Sequence, residues 1–253
     1  MYDHYSDIFL RRGAQYTDAM HRCPAARQAE FDQLLESADV EPGHRLLDMP
    51  AGGAYLRDFL RVPGVHYSAL ETTDGFLTHL AQAERPPLVL VPSLDAVPLP
   101  LPTGCADRIV SLAGLHHIQD RAAVYAEMRR LLVPGGVACV ADVQVGTTTA
   151  LFLNGPVDQF CPLGHRGVFL DESDTGWLAQ AGLRVMDDRL VDVPWRFASL
   201  AEMGAFCSLL FGLDNAPDDN AVIDAIVAGP GVSHCDDQVL MHWPLRFVRV
   251  VAD

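Results

Sequence analysis

The stretch Arg45–Leu56, RLLDMPAGGAYL, constrains the fold more than any other. An apolar run ends on Asp48, a loop of small residues follows (Pro50-Ala51-Gly52-Gly53-Ala54), and a second apolar run opens at Tyr55. A strand stopping on a carboxylate, a loop without bulky side chains and a helix N-terminus together let a ligand touch backbone. The next apolar run ends on Glu71, where a carboxylate can accept from both hydroxyls of a ribose. The pair points to an adenosine-containing ligand. The loop lacks Gly-x-Gly-x-x-Gly, so a dinucleotide pyrophosphate site is poorly supported.

The wider pattern gives this loop a setting. Strand candidates at 45–49, 65–70, 88–91, 107–112 and 137–142 alternate with helix candidates at 53–61, 74–83 and 121–132. In the last of these Val124, Met128, Leu131 and Leu132 share a face, Asp120 can cap the start, and Pro134-Gly135-Gly136 ends it. The strands are short apolar runs without clean alternation, as expected when helices cover both faces. Such an order implies a parallel, doubly wound α/β sheet with its ligand at the carboxyl ends of the strands.

Outside this block, Phe31, Leu34, Leu35 and Ala38 recur at helical spacing before Pro42-Gly43, which makes residues 1–43 a helical N-terminal unit. The main domain then spans 44–253. Residues 143–171 are too long for a simple connection and form a first insertion. A helix at about 172–181 and a strand at about 183–191 resume the pattern. A second insertion, 195–235, holds a helix with Leu200, Met203, Cys207 and Leu210 on one face and another at 218–228. The last strand, about 239–251, alternates well enough to be antiparallel.

Composition narrows the partners. The 253 residues suffice for one large domain, and a net charge of −15 repels phosphate backbones and anionic lipid, which argues against nucleic acid and membrane. The six cysteines form no Cys-x-x-Cys pair and read as reduced thiols, which fits the cytoplasm. The N-terminus has no signal-peptide core, and no apolar run approaches the roughly 18 residues of a membrane span.

Two further segments carry chemistry. Ser93-Leu94-Asp95-Ala96 follows the third strand; Asp95 can accept from an adenine amino group and the Ala96 amide can donate to a ring nitrogen. The block ADRIVSLAGLHHIQD, then a helix, then LLVPGGVACVAD, spans Ala106–Asp142. Taken with the loop, it resembles the class I S-adenosylmethionine-dependent methyltransferases, in the small-molecule branch with a Leu-His-His segment after the fourth strand. The resemblance covers residues 45–142 well and extends more thinly to both ends. It implies a Rossmann-like, seven-stranded, mostly parallel sheet of order 3-2-1-4-5-7-6 with the last strand antiparallel. It also implies S-adenosylmethionine as cofactor, with Asp48, Pro50, Ala51 and Gly52 at its methionine end. Glu71 and Thr72 then match the ribose position, Leu94, Asp95 and Ala96 the adenine, and Ser111, Leu112 and Ala113 the sulfonium. The family loop reads Asp-x-Gly-x-Gly-x-Gly, so Pro50 and Ala54 replace two glycines here. The retained acids mark a variant loop rather than a lost one.

Methyl transfer is an in-line displacement at sulfonium, and positioning supplies much of the acceleration. A base is needed only for an acceptor that carries a proton, and His116 and His117 are the candidates. By the resemblance the N-terminal helices close as a lid, with Tyr5 or Tyr16 shielding the methyl group. Among the aromatic residues of the insertions, Phe152, Phe160, His165, Phe169, Trp195 and Phe197 are candidate acceptor-pocket residues, most of them expected in a subdomain core. His234-Cys235-Asp236-Asp237 reads as a surface loop and Asp187-Asp188 as solvated charge; no metal site is expected. The expected activity is methyl transfer to an O, N or C nucleophile of a small molecule, with a secondary metabolite among the acceptors allowed. Non-methylating cofactor chemistry (cyclase, lyase or rearrangement) and a non-catalytic partner protein stay open, with a nicotinamide oxidoreductase last. A homodimer is among the assembly states allowed.

Overall fold

The protein is described from a computed structural model covering residues 5–78, 80–81 and 84–253. Its centre is a seven-stranded sheet of β1 (Arg45–Asp48), β2 (His66–Glu71), β3 (Leu88–Leu90), β4 (Ala106–Leu112), β5 (Leu132–Asp142), β6 (Leu183–Asp192) and β10 (Pro244–Ala252), in the order β3-β2-β1-β4-β5-β10-β6. The first five strands pair in parallel, and β10 runs antiparallel to both β5 and β6. This is the order and direction of pairing that the family resemblance implied. Asp48, Glu71 and Asp142 all end parallel strands, so three acids gather along one edge of the sheet.

Hydrophobic residues of β1, β4 and β5 split between two cores. Val110, Cys139 and Ala141 pack on one face with Phe31, Leu34 and the insertions. Ile109, Ala138 and Val140 pack on the other with Val124, Tyr125 and Met128 of α3 (Arg121–Leu131). The Asp120 side chain caps α3 by accepting from the Ala123 amide. β5 begins earlier than the sequence pattern suggests. A register shift between Ala106 and Arg108 absorbs the Pro134-Gly135-Gly136 turn inside the strand.

The region expected as a helix over 53–61 is a single 3₁₀ turn, Tyr55–Phe59. Ala54 in the left-handed conformation precedes it and extended Leu60 follows, so no second turn can form. Its apolar residues still pack, as Phe59 stacks on Phe31 of α2 (Gln28–Ser37) at 4.5 Å. Likewise, among the described residues of 74–83, helical structure is confined to Gly75–Leu77; residues 79, 82 and 83 lie outside the described residues.

The N-terminal unit is α1 (Tyr5–Arg22) and α2, with residues 1–4 outside the described residues. Gly13 lets α1 approach the Gly75–Leu77 turn backbone to backbone: a Cβ there would lie 2.4 Å from Gly75 C and Phe76 N. Thr17 Oγ1 sits 2.6 Å from the Phe76 carbonyl, to which it donates. The first insertion forms α4 (Thr148–Phe152), a π turn (Leu153–Val157) and α5 (Asp158–Phe160), and α6 (Glu172–Gln180) follows with a capping box from Asp171 and Asp174. The second holds β7 (Trp195–Phe197), α7 (Leu200–Phe211), α8 (Asp219–Ala228) and β8 (Val232–Cys235). With β9 (Gln238–Met241) they make a separate sheet, β7-β9-β8. The strand expected over 239–251 is therefore two, split at His242-Trp243. No helix among the described residues is long and apolar enough to cross a membrane.

Candidate active site

Two cavities meet above the carboxyl ends of β1 and β4. The first is walled by the β1 loop (Asp48, Pro50, Ala51, Gly52), by Leu112 and Ala113, and by Tyr5, Phe9 and Tyr16 of α1. The second is apolar and runs between His116, His117 and His165 on one side and Leu153, Val157, Trp195, Phe211 and Trp243 on the other. Phe9, Tyr16, Arg27 and Ala113 line both. Ala113 holds a positive φ of 49° at this junction, a conformation that costs a non-glycine residue energy and occurs preferentially at functional sites.

In the first cavity the acids have neutral partners. Glu71 Oε2 accepts from the Gly52 amide (2.7 Å) and the Tyr5 hydroxyl (3.1 Å), and Oε1 accepts from the Thr72 amide (2.5 Å) and hydroxyl (3.2 Å). Asp48 accepts from the Tyr67 hydroxyl at 2.7 Å. Burial pushes both carboxyls up to about 7, against the lowering effect of these hydrogen bonds. The Tyr5 hydroxyl is raised well above its ordinary value by burial and then by Glu71.

The cation in the lining of this cavity is Arg27, at the junction. Its Nε donates to Glu30 and its Nη1 to the Tyr16 hydroxyl, and its guanidinium lies 5.2 Å from the Trp195 ring. Burial works to lower the Arg27 pKa, but Glu30 and Tyr16 more than offset it and hold it raised. Nη2 carries neither bond. Buried Arg12 of α1, which lines the second cavity, donates to the Leu209 and Phe211 carbonyls and caps the C-terminus of α7, tying the N-terminal unit to the second insertion.

The second cavity has a different polar end. His116 Nδ1 lies 2.6 Å from Asp142 Oδ1. Asp142 is fully buried and also accepts from the amides of Leu115 (2.8 Å), His116 (3.1 Å) and Val143 (2.7 Å). Burial raises its pKa, but His116 and these amides outweigh it and leave Asp142 lowered. The carboxylate holds the Nδ1 side of the ring, so Nε2 is the nitrogen turned away from Asp142. Burial drives His117 well below the usual histidine range and His165 down to about 3, so both are neutral.

The sequence-predicted residues thus divide. Asp48, Pro50, Ala51, Gly52, Leu112, Ala113 and Tyr16 line the first cavity; Glu71 and Thr72 lie outside its lining, with Glu71 bonded to the lining residues Gly52 and Tyr5 and Thr72 bonded to Glu71. Leu94 is buried beneath the sheet edge, while Asp95 and Ala96 stand in a more open turn outside that cavity; Asp95 accepts from Ser93 Oγ. Ser111 is buried outside both cavities, its hydroxyl without a hydrogen-bond partner. His116 and His117 face the second cavity together with His165 and Trp195, whereas Phe152, Phe169 and Phe197 belong to the core and Phe160 packs against it. His234–Asp237 is an exposed hairpin end. Asp188 departs from the sequence reading: it forms a two-pronged pair with Arg246 at 2.7 and 2.8 Å. Arg27, Arg12 and the pairing of Asp142 had no sequence signal beyond the position of Asp142 at a strand end.

The donor set suits S-adenosylmethionine: a buried carboxylate at the end of β2 for a diol, a guanidinium for a carboxylate, and an apolar junction for the methyl-bearing sulfonium. Residues 47–140 match the methyltransferase domain family. With the sheet order, this match supports a class I S-adenosylmethionine-dependent methyltransferase. It is 28% identical over 228 residues to the methyltransferase GfsG of Streptomyces halstedii, covering 82% of this chain and 81% of that protein. Its fold matches the solved structure of the cyclase SpnF with a TM-score of 0.57 at 17% identity, over 89% of this chain and 80% of the other. It also matches geranyl diphosphate methyltransferase in complex with S-adenosylmethionine, with a TM-score of 0.55 at 15% identity, over 89% and 85% of the two chains.

Proposed function

We propose that this enzyme methylates a small, largely apolar molecule held in the second cavity, at a nucleophilic O, N or C centre placed against His116. The observation that carries the reading is the shared wall: Phe9, Tyr16, Arg27 and Ala113 border both cavities, so ligands in the two meet at Ala113. When bound, the cofactor supplies the electrophilic methyl group. Glu71 accepts from its ribose hydroxyls in place of Tyr5, Arg27 Nη2 engages its carboxylate, and the turn at Asp95-Ala96 borders its adenine. The N-terminal unit, residues 1–43, acts as the lid: Phe9 and Tyr16 exclude water from the junction, and Gly13 and Thr17 hold α1 down.

For an acceptor with an O–H or N–H group, His116 Nε2 takes the proton while Asp142 holds the ring and stabilises its charge. The apolar lining of Trp195, Trp243, Phe211 and Leu153 selects a ring-bearing or branched hydrocarbon body. The net charge of −15 disfavours a nucleic-acid acceptor. The test is incubation with the cofactor and a panel of apolar hydroxylated compounds, with products identified by mass spectrometry. Formation of S-adenosylhomocysteine and an acceptor heavier by one methylene unit is the expected result. Methylthioadenosine, or conversion of a substrate with the cofactor unconsumed, would overturn it.

A further inference from the structure

We propose that His116, His117 and His165 form a mononuclear site for a borderline divalent transition-metal ion, with an open coordination position in the apolar cavity. One nitrogen from each ring lies within 4.8 Å of the others. The ring centroids are 4.1 Å apart for His116 and His117, 5.5 Å for His116 and His165, and 5.3 Å for His117 and His165. Three imidazoles around a zinc ion at about 2.0–2.1 Å place their nitrogens about 3.3 Å apart, so closing the site needs ring shifts of about 1 Å.

Two segments distant in sequence are locked together to make this cluster. The Val168 amide donates to the His116 carbonyl at 2.7 Å. Asn154 brackets Gly167, accepting from its amide at 2.8 Å and donating to its carbonyl at 3.0 Å. Gly167 has to be glycine for this approach, since a Cβ there would lie 2.5 Å from the Phe169 ring and 3.1 Å from His116 Cδ2. The Asp158 carboxylate accepts from the His165 amide at 2.8 Å.

The surrounding contacts are those that orient metal-binding imidazoles. Asp142 holds Nδ1 of His116, and Asn154 Oδ1 lies 3.1 Å from Nδ1 of His165, so Nε2 of each ring is the nitrogen left for an ion. Three imidazole nitrogens with no oxygen ligand suit zinc, cobalt or nickel and not magnesium or calcium. All three rings line the apolar cavity, so the remaining coordination position opens there to an oxygen donor of whatever occupies it. A second opening, bordered by exposed Gln119 and Arg166, gives an ion access to His117 and His165 from solvent. In the loaded protein the ion holds the Nε2 that otherwise accepts a proton. The inference rests on the acceptor reading only for what fills the open position.

The test uses the full-length, tag-free protein, stripped with chelator and titrated with Co²⁺ alone, neither cofactor nor acceptor being present. The expected result is one equivalent bound with the intense visible absorption of a four- or five-coordinate ion, displaced stoichiometrically by Zn²⁺. His117→Gln and His165→Gln should each weaken binding at least tenfold while keeping the wild-type circular dichroism. Asn154→Ala should weaken it about tenfold. A wild-type protein without that absorption overturns the proposal, as do folded His117→Gln and His165→Gln variants that bind like wild type. Should a variant fail to fold, the wild-type spectrum and its Zn²⁺ competition decide the matter. Because no methyl transfer is measured, failure here leaves the proposed activity standing.

Discussion

Glu71 and Asp142 occupy equivalent places, each buried at the carboxyl end of a parallel strand, yet their electrostatics are opposite. Glu71 receives only neutral donors and its carboxyl is pushed up to about 7, while Asp142 has His116 beside it and is held low. The difference separates two jobs. A buried acid with an elevated pKa and a displaceable tyrosine hydroxyl is poised for ligand hydroxyls. A buried acid already satisfied by three amides and an imidazole is a positioning group. The two cavities inherit this contrast: one is bordered by acids held by neutral donors, the Tyr5 hydroxyl among them, the other by an imidazole oriented by an acid.

The largest effect that could break the contrast is on turnover. With an acceptor from the panel that carries a proton, His116→Ala should lower kcat by about 10²–10⁴-fold with little change in cofactor affinity. Unchanged kcat would remove His116 from the chemistry. Next comes cofactor binding: Glu71→Ala and Asp95→Ala should each weaken it by about 1–3 kcal/mol, as for a lost charged hydrogen bond. Calorimetry that finds both variants unchanged would refute the site assignment.

The tie between α1 and α7 is tested by stability. Arg12→Ala removes donors from the Leu209 and Phe211 carbonyls and should destabilise the protein by about 1–3 kcal/mol in denaturant titration. The last effect concerns pH. Burial lifts Asp48 and Glu71 to about 7, so both hold protons more tightly folded than unfolded. Their contribution to stability is present below the unfolded value of about 4 and is lost as pH rises to about 7. Asp48→Asn removes one of the two, so its Tm should change less favourably for acid, and fall less toward pH 7, than that of wild type. Parallel pH–Tm curves would show that Asp48 is not held up.

The same contrast explains what could be read from the chain. Part of the first cavity's wall was legible because Asp48 and the small-residue loop are a strand end and a turn, while the strand order came from the family resemblance and alternation implied only a parallel, doubly wound sheet. The variant loop was visible as Pro50 and Ala54, and Ala54 takes the left-handed conformation open to the glycine it replaces. The acceptor side was not legible, because its wall is assembled across long sequence separations. Arg27 meets Trp195, Arg12 meets Phe211, and His116 meets His165 only after the insertions fold back on α1. The aromatic list for 143–235 identified Trp195 and His165 but could not tell wall from core. Short turns at 55–59 and 75–77 had the apolar content of helices, and only the backbone revealed their length.

The most direct measurement is calorimetric titration of S-adenosylhomocysteine near pH 6.5 in buffers of different ionisation enthalpy, with wild type and Glu71→Gln. If Glu71 exchanges the Tyr5 hydroxyl for ribose donors, its pKa falls on binding. Wild type should then bind one equivalent and release a fraction of a proton, and Glu71→Gln should bind more weakly with that release abolished. Wild-type binding without proton release, together with undiminished affinity in Glu71→Gln, would contradict the account.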